Sequence, residues 1–304
     1  MRNPESYKKN QWLRHIVSVI SIGIAGATAA LAGPLNVAAS TTDVAAVARE
    51  VGGDLVSVQY LCRGDQDPHD FEVLPSQVMV VQSANVYLKA GLALDLWSDK
   101  LIQSAGNANL IVADCSKGIA VIGAATHEGP HPLGNPHYWL GPANDSIVAA
   151  NIRDAFSLAD PSHSGRYAEN CSVFIMRLDS AITRWRATLA PCSGWGIACS
   201  HPSWDYFARD FGMELVGSVS RIPDAEPSPV DLATLEAKIR SRGRVIFLRE
   251  PFTSDRYSSV LHKDTGIPVL LAPSSVGAVP EAPTLWTFFD YLTAEIAGQC
   301  QPSR

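Results

Sequence analysis

No two of the six cysteines, Cys62, Cys115, Cys171, Cys192, Cys199 and Cys300, stand in a C-x-x-C spacing, which argues against a thiolate zinc finger. The net charge is −6, so composition argues against a nucleic-acid partner. Beyond residue 32 there is also no apolar run of the ~20 residues needed to cross a bilayer. Charge is sparse throughout. At 18% charged and 46% hydrophobic residues, the chain has the composition of a folded globular protein with an ample core.

The first 32 residues are of another kind. Lys8, Lys9, Arg14 and His15 form a basic patch, 16–31 is an apolar run broken only by small residues, and Ala30-Leu31-Ala32 has the small-x-small cleavage pattern. Residues 1–32 therefore read as a secretory signal peptide, with an uncleaved membrane anchor as the alternative. No cysteine stands at the junction, which argues against a lipoprotein anchor. An exported chain meets an oxidising compartment. Cys192 and Cys199 flank the short loop Ser193-Gly194-Trp195-Gly196 and are expected to bridge, whereas Cys171, on an apolar helical stripe, is expected to stay a buried thiol.

Beyond residue 32, short apolar strands alternate with helical patterns. Strands at 35–40, 55–62, 85–90 and 110–114 are interleaved with helices at 44–51, from Pro75, and at 94–105. The alternation returns with strands at 196–200, 214–219, 245–248 and 268–271 and helices at 204–211, 229–242, 254–265 and 284–296. This pattern predicts an α/β protein of two (β/α) lobes, each a parallel sheet with helices on both faces. Between them Asp160-Pro161 is a good N-cap and N1 pair. Tyr167, Cys171, Phe174, Leu178, Ile182, Trp185 and Leu189 then recur at three- and four-residue steps until Pro191. They describe one amphipathic helix of roughly 28 residues, about 42 Å long, or two shorter helices broken near Gly165. A single helix would be a rigid strut (160–190) joining an N-terminal lobe (33–159) to a C-terminal lobe (191–304).

Three histidines share a local context: Asp67-Pro68-His69-Asp70-Phe71, Asn135-Pro136-His137-Tyr138-Trp139 and Ser200-His201-Pro202-Ser203-Trp204. Each lies at a Pro- or Ser-marked boundary beside aromatics, at near-even spacings of 137 − 69 = 68 and 201 − 137 = 64 residues. Neutral imidazole is the commonest zinc ligand, and three of them leave one tetrahedral position open. Each also follows a strand or its loop, and open α/β sheets bind ligands beyond the carboxyl ends of their strands. His69 and His137 come from the first lobe and His201 from the second, which places a metal site in the cleft between lobes. Glu250 ends the strand at 245–248 and is the candidate fourth ligand; pairing with Arg249 or Arg256, or helix capping, is its alternative. Three imidazoles and one carboxylate suit Zn²⁺ better than Mn²⁺, which favours more oxygen. Asp67, Asp70 and Glu72 are candidate acceptors that would orient an imidazole, or simply solvated loop charges. His127 and His131 form either a weak capture site for metal or a plain polar loop. His163 and His262 are expected to face solvent.

These motifs together resemble the periplasmic metal-binding proteins of zinc and manganese ABC importers, the ZnuA/TroA-like group. The resemblance is carried by the segments around His69, His137 and His201, by Ala90-Gly91 before 94–97, and by Phe247-Leu248-Arg249-Glu250-Pro251 with Thr265-Gly266. It covers nearly all of the chain beyond residue 32. It implies two lobes joined by a backbone helix, and a periplasmic monomer that passes its metal to a membrane permease. His201, a glutamate in manganese-type relatives, favours zinc. One departure stands out: many members carry an aspartate ligand after the last strand, where Leu271-Ala272-Pro273-Ser274-Ser275-Val276-Gly277 has no acid. The competing functional classes are a manganese or iron carrier of the same kind, a zinc hydrolase using the open position, and an adhesin-like surface protein.

Overall fold

The computed structural model describes residues 33–123, 133–220 and 226–300. The signal-peptide segment 1–32 and the pair His127 and His131 lie outside the described residues. The first lobe runs β1 (Leu35–Ala39), α1 (Thr42–Gly52), β2 (Val56–Tyr60), α2 (Pro75–Ser83), β3 (Val86–Lys89), α3 (Trp97–Ala105) and β4 (Ile111–Asp114). Helices α4 (Asp145–Ala159) and α5 (Ser164–Leu189) follow. The second lobe runs β5 (Gly196–Cys199), α6 (Asp205–Phe211), β6 (Glu214–Ser218), α7 (Pro229–Arg242), β7 (Val245–Arg249), α8 (Arg256–Thr265), β8 (Val269–Leu271) and α9 (Leu285–Gln299).

The sheets are ordered β2-β1-β3-β4 and β6-β5-β7-β8, and every pairing is parallel. Strand order reverses between β1 and β3 and again between β5 and β7, so each lobe has a crevice at its strand carboxyl ends. The central strands read Val-Tyr-Leu in β3 and Val-Ile-Phe-Leu in β7 and are buried, as parallel strands covered by helices must be. Both lobes contribute to one hydrophobic cluster, from Val37 and Leu88 to Ile246 and Leu248.

Helix α5 is the strut that the apolar stripe predicts. It is a single helix of 26 residues, and Pro161–His163 ahead of it is a short 3-10 turn. Gly165 lies inside it without a break. Its buried face, Tyr167, Cys171, Phe174, Leu178, Ala181, Ile182, Trp185 and Leu189, packs on α1, α4 and α9. Trp185 meets Phe289 at 4.8 Å and donates its indole N–H to Asp290 at 2.6 Å. A buried aromatic of this size contributes about 3 kcal/mol of transfer free energy, and its indole N–H is satisfied here. At the junction with α1 and α9, Arg177 lies 3.8 Å over the Trp286 ring and 3.5 Å from Glu50, which accepts the Trp286 indole N–H at 2.7 Å.

Three expectations change. Helix α4 has no counterpart among the expected elements, although Val148, Ala149, Ile152, Ala155 and Phe156 bury one face at helical spacing. Helix α3 starts at Trp97 and not at residue 94, because Gly91, Leu92 and Ala93 take φ of 85°, 50° and 64°, a left-handed turn that α-helix cannot continue. The Cys192–Cys199 bridge is replaced by Cys192–Cys300, with Cα atoms 5.2 Å apart. The 3-10 turn after α5 and the end of α9 bring those two together, while Cys199 is held at the carboxyl end of β5 and stays a buried thiol, as does Cys171. Among the described residues, no helix is long and apolar enough to cross a membrane.

The bridge closes a loop across a sequence separation of 108 residues. Replacing both Cys192 and Cys300 by Ala should cost about 2–5 kcal/mol in urea unfolding. The wild type in reductant should match the variant; coincident midpoints for oxidised and reduced wild type would contradict the pairing.

Candidate metal centre

The structure brings His69, His137 and His201 together. One ring nitrogen from each lies within 4.8 Å of the others, and the ring centroids form a near-equilateral triangle of 5.2, 5.3 and 5.0 Å. The Nε2 atoms of His69 and His137 are 3.2 Å apart. Two nitrogens sharing a tetrahedral zinc at 2.0–2.1 Å would sit about 3.3 Å apart, so this pair is already spaced for a common ion. His137 and His201 are buried at 4% and 7% exposure, and His69 is half-buried.

Each histidine is held by its own loop. His69 follows β2 on a turn in which Asp67 Oδ1 accepts the His69 backbone N–H at 2.8 Å. Trp97 donates its indole N–H to the Pro68 carbonyl at 3.0 Å and packs on Phe71 at 4.5 Å, so α3 braces the same loop. His137 opens the 3-10 turn Tyr138–Leu140, and the Tyr138 hydroxyl donates to the Ala90 carbonyl at 2.7 Å, at the end of β3. His201 follows β5 directly and starts the turn into α6.

The fourth candidate is not brought into this set. Glu250 sits at the end of β7 as expected and is fully buried, but its carboxylate falls outside the group of mutually close donor atoms. Its Oε1 is claimed from the second lobe itself, by the Ser203 hydroxyl at 3.0 Å and the Trp204 indole N–H at 2.8 Å. Burial pushes this carboxyl up to about 7, and the donors from Trp204 and Ser203 hold it from rising further. Neither Arg249 nor Arg256 is its partner: Arg249 donates to the Thr253 carbonyl and Arg256 faces Glu226. Glu250 Oε1 thus ties the end of β7 to the His201 turn, while Oε2 is buried and accepts no hydrogen bond from the described residues. Asp70 and Glu72 are exposed loop charges. His163 pairs with Asp160 at 2.6 Å, and the His262 ring meets the Ile267 carbonyl at 2.7 Å.

A ring partner that the sequence reading misses is Asn135. Its Oδ1 meets His137 Nδ1 at 2.8 Å and also accepts the His137 backbone N–H at 2.9 Å. The signal was present as Asn-Pro-His, an Asx residue two positions before a candidate ligand. Another sequence feature points the other way. His127-Glu128-Gly129-Pro130-His131 has the H-E-x-x-H spacing of helical zinc hydrolases. Gly129 and Pro130 inside it are poor material for the helical turn on which that chemistry relies, so the string adds little to a hydrolase reading.

The centre opens on a cleft of about 530 Å³ whose lining includes His201, Asp67, Asp70, Glu226 and Phe252. Its acidic residues favour cation entry. A larger groove of about 1070 Å³ between β6 and α7 contains no histidine or cysteine and is remote from this chemistry. Two contacts close the lobes near the centre: the Trp139 indole N–H donates to the Ser274 carbonyl at 2.7 Å, and the Val276 N–H donates to Asp43 Oδ1 at 2.9 Å. A Cβ on Gly64, in the His69 loop, would lie 2.4 Å from the Val276 carbonyl oxygen, so only glycine allows this approach.

Fold and centre define a class: a two-lobed binding protein with imidazoles converging between its lobes. The chain belongs to the family described as zinc-uptake complex component A, periplasmic, whose model matches residues 37–298. That family consists of metal-binding solute-binding proteins and not of enzymes. Among curated relatives, the zinc-binding lipoprotein AdcA of Streptococcus pneumoniae is 24% identical over 244 residues, which covers 77% of this chain and 49% of that protein. The chain thus spans about half the length of the AdcA proteins it matches. The iron-binding protein YfeA of Yersinia pestis is 25% identical over 272 residues, 86% of this chain and 85% of YfeA. A crystal structure of ZnuA shares the fold at a TM-score of 0.78 and 24% identity, covering 88% of this chain and 100% of that one. A manganese-bound periplasmic metal-binding protein (S38A mutant) from Candidatus Liberibacter asiaticus does so at 0.75 and 23%, covering 87% and 99%.

Asp43, on the lobe contact beside this centre, makes a pH prediction. Burial raises its carboxyl from 3.8 to about 7, and the Val276 N–H and Ser275 hydroxyl oppose that rise; buried Asp145 nearby is raised as well. Between those two values the folded state holds a proton that the unfolded state has lost. Stability from this group is therefore fully present below about pH 4, falls as pH rises, and is flat above about 7. We expect Asp43→Asn to remove up to about 4 kcal/mol of the stability loss between pH 4 and pH 7.5, read by denaturant unfolding. Parallel pH profiles for variant and wild type would refute this.

Proposed function

We propose that this protein captures a divalent metal ion, Zn²⁺ by preference, on His69, His137 and His201 and delivers it to the permease of an ABC-type importer. The observation that carries the reading is the convergence of three imidazole nitrogens within 4.8 Å at the junction of two lobes. An all-nitrogen donor set suits zinc more than manganese, and the fourth position is left for water. The names of the relatives span zinc, iron and manganese, so the choice of metal rests on this chain's own donors. In this reading the chain is an extracytoplasmic monomer exported by residues 1–32, and its lobes divide as 33–159 and 191–304 about the helix at 160–190. Because α5 resists hinge opening, release proceeds by movement of the ligand loops, the half-buried His69 loop being the least enclosed.

Equilibrium dialysis of the protein at neutral pH should show one zinc per chain. Each of His69→Ala, His137→Ala and His201→Ala should weaken binding by at least about tenfold, as loss of one ligand of three demands. Binding should also fall as pH drops through the imidazole range near 6.5, since a protonated ring cannot coordinate. Tighter binding of Mn²⁺ than of Zn²⁺, or wild-type affinity in all three variants, would sink the proposal.

A further inference from the structure

We infer that Asn135 is a positioning residue that serves both lobes at once: its amide fixes the tautomer of His137 and ties that histidine to the turn that carries His201. The inference rests on the capture reading above and names how the same site is held together.

Asn135 Nδ2 lies 2.7 Å from Asp205 Oδ2 and 3.0 Å from the Pro202 carbonyl oxygen. Both of those are acceptors, so the amide atom facing them must be the NH₂, and the atom facing His137 must be the oxygen. An amide oxygen 2.8 Å from His137 Nδ1 only accepts, so Nδ1 carries the hydrogen. A neutral ring protonated at Nδ1 has its lone pair on Nε2, the nitrogen that faces His69 Nε2 at 3.2 Å. One amide therefore decides which nitrogen of His137 is presented to a cation.

The bland reading of Asn135 is an ordinary Asx turn, which the 2.9 Å bond from the His137 backbone N–H would satisfy alone. That reading leaves the other half of the amide unexplained. Its two donor bonds reach across 67 and 70 residues to Pro202 in the turn beside His201 and to Asp205 at the start of α6. The same crossing is repeated by Tyr206, whose hydroxyl donates to the Asn135 carbonyl at 2.8 Å and accepts the Ile122 N–H at 3.1 Å. Displacing the His201 turn thus pulls directly on the group that orients His137.

The test uses the full-length protein with Zn²⁺ alone as probe, and separates the two halves of the amide. In metal-free wild type labelled with ¹⁵N-histidine, NMR should show His137 as the Nδ1–H tautomer. Asn135→Ala should lose that preference and speed zinc transfer to a chelator by about 10–100-fold. Asp205→Ala removes one interlobe acceptor without touching the ring. It should keep the tautomer yet speed release by ~10-fold. Asn135→Asp keeps the acceptor for Nδ1–H and should rescue the tautomer but not the release rate. An Nε2–H tautomer in the wild type, or release within about twofold of wild type for both alanine variants, overturns the assignment. If Asn135→Ala fails to fold, the wild-type spectrum and Asp205→Ala still decide. Absence of zinc binding by the wild type would instead defeat the capture reading, while the tautomer would still judge the role of Asn135.

Discussion

Everything at the centre depends on two sheets being held at a fixed separation by one helix. The histidines stand on loops that belong to different sheets, and zinc–nitrogen bonds tolerate only a few tenths of an ångström of misplacement around about 2.0–2.1 Å. Neither sheet alone can meet that tolerance. Helix α5 meets it by packing one continuous stripe, from Tyr167 to Leu189, against α1, α4 and α9. The Arg177, Glu50 and Trp286 contacts lock α5 to α1 and α9 at their shared junction. The disulfide between Cys192 and Cys300 then pins the end of the strut to the final helix. The frame is rigid where it is apolar, and adjustable only in the loops that reach the cleft.

That division of labour explains what the sequence showed and what it hid. The strut was legible because its apolar positions repeat at a helical period over about six turns, a signal too long to arise from local accident. The histidines were legible from residue type and neighbouring prolines; strand-end position holds for His201 just past β5, whereas His137 lies well beyond the end of β4 at Asp114. Glu250 shows the limit of the same reasoning. A strand end places a Cα at the mouth of the crevice, but it does not say where each carboxylate oxygen goes: Ser203 and Trp204 hold Oε1, and Oε2 is buried without a hydrogen-bond partner among the described residues. The disulfide was hidden for a related reason: nearness along the chain favours Cys199, while nearness in space belongs to Cys300. Helix α4 was visible in the spacing of Val148, Ile152 and Phe156 and needed only to be sought.

The segment 271–277 after β8 bears on the composition of the donor set. The resemblance to metal-binding proteins of ABC importers implies an aspartate ligand there, and this chain has none. The structure shows what that segment does instead. Its Ser274 carbonyl receives the indole N–H of Trp139, two residues beyond His137, and its Val276 N–H binds buried Asp43 at the start of α1. The Val276 carbonyl oxygen lies against Gly64 in the His69 loop. The segment is a backbone clasp between lobes and offers no side-chain charge to the cleft. In this chain the segment joins the lobes through its backbone and carries no acidic side chain.

The lack of an acid there has a chemical consequence. Three neutral imidazoles leave the full 2+ charge of a bound ion uncompensated by its immediate ligands, and buried charge is costly unless paired. Compensation must then come from groups that do not coordinate. The carboxylates of Asp67 and Asp70 line the entrance on one side and Glu226 on the other, where partial hydration screens their attraction. Glu250 lies deeper, fully buried, and burial alone holds its proton to about pH 7. A divalent ion nearby opposes that burial effect and favours the ionised form. Ionised beside such an ion, the Glu250 carboxylate would contribute through its field and through the bonds of its Oε1 to Ser203 and Trp204 in the His201 turn.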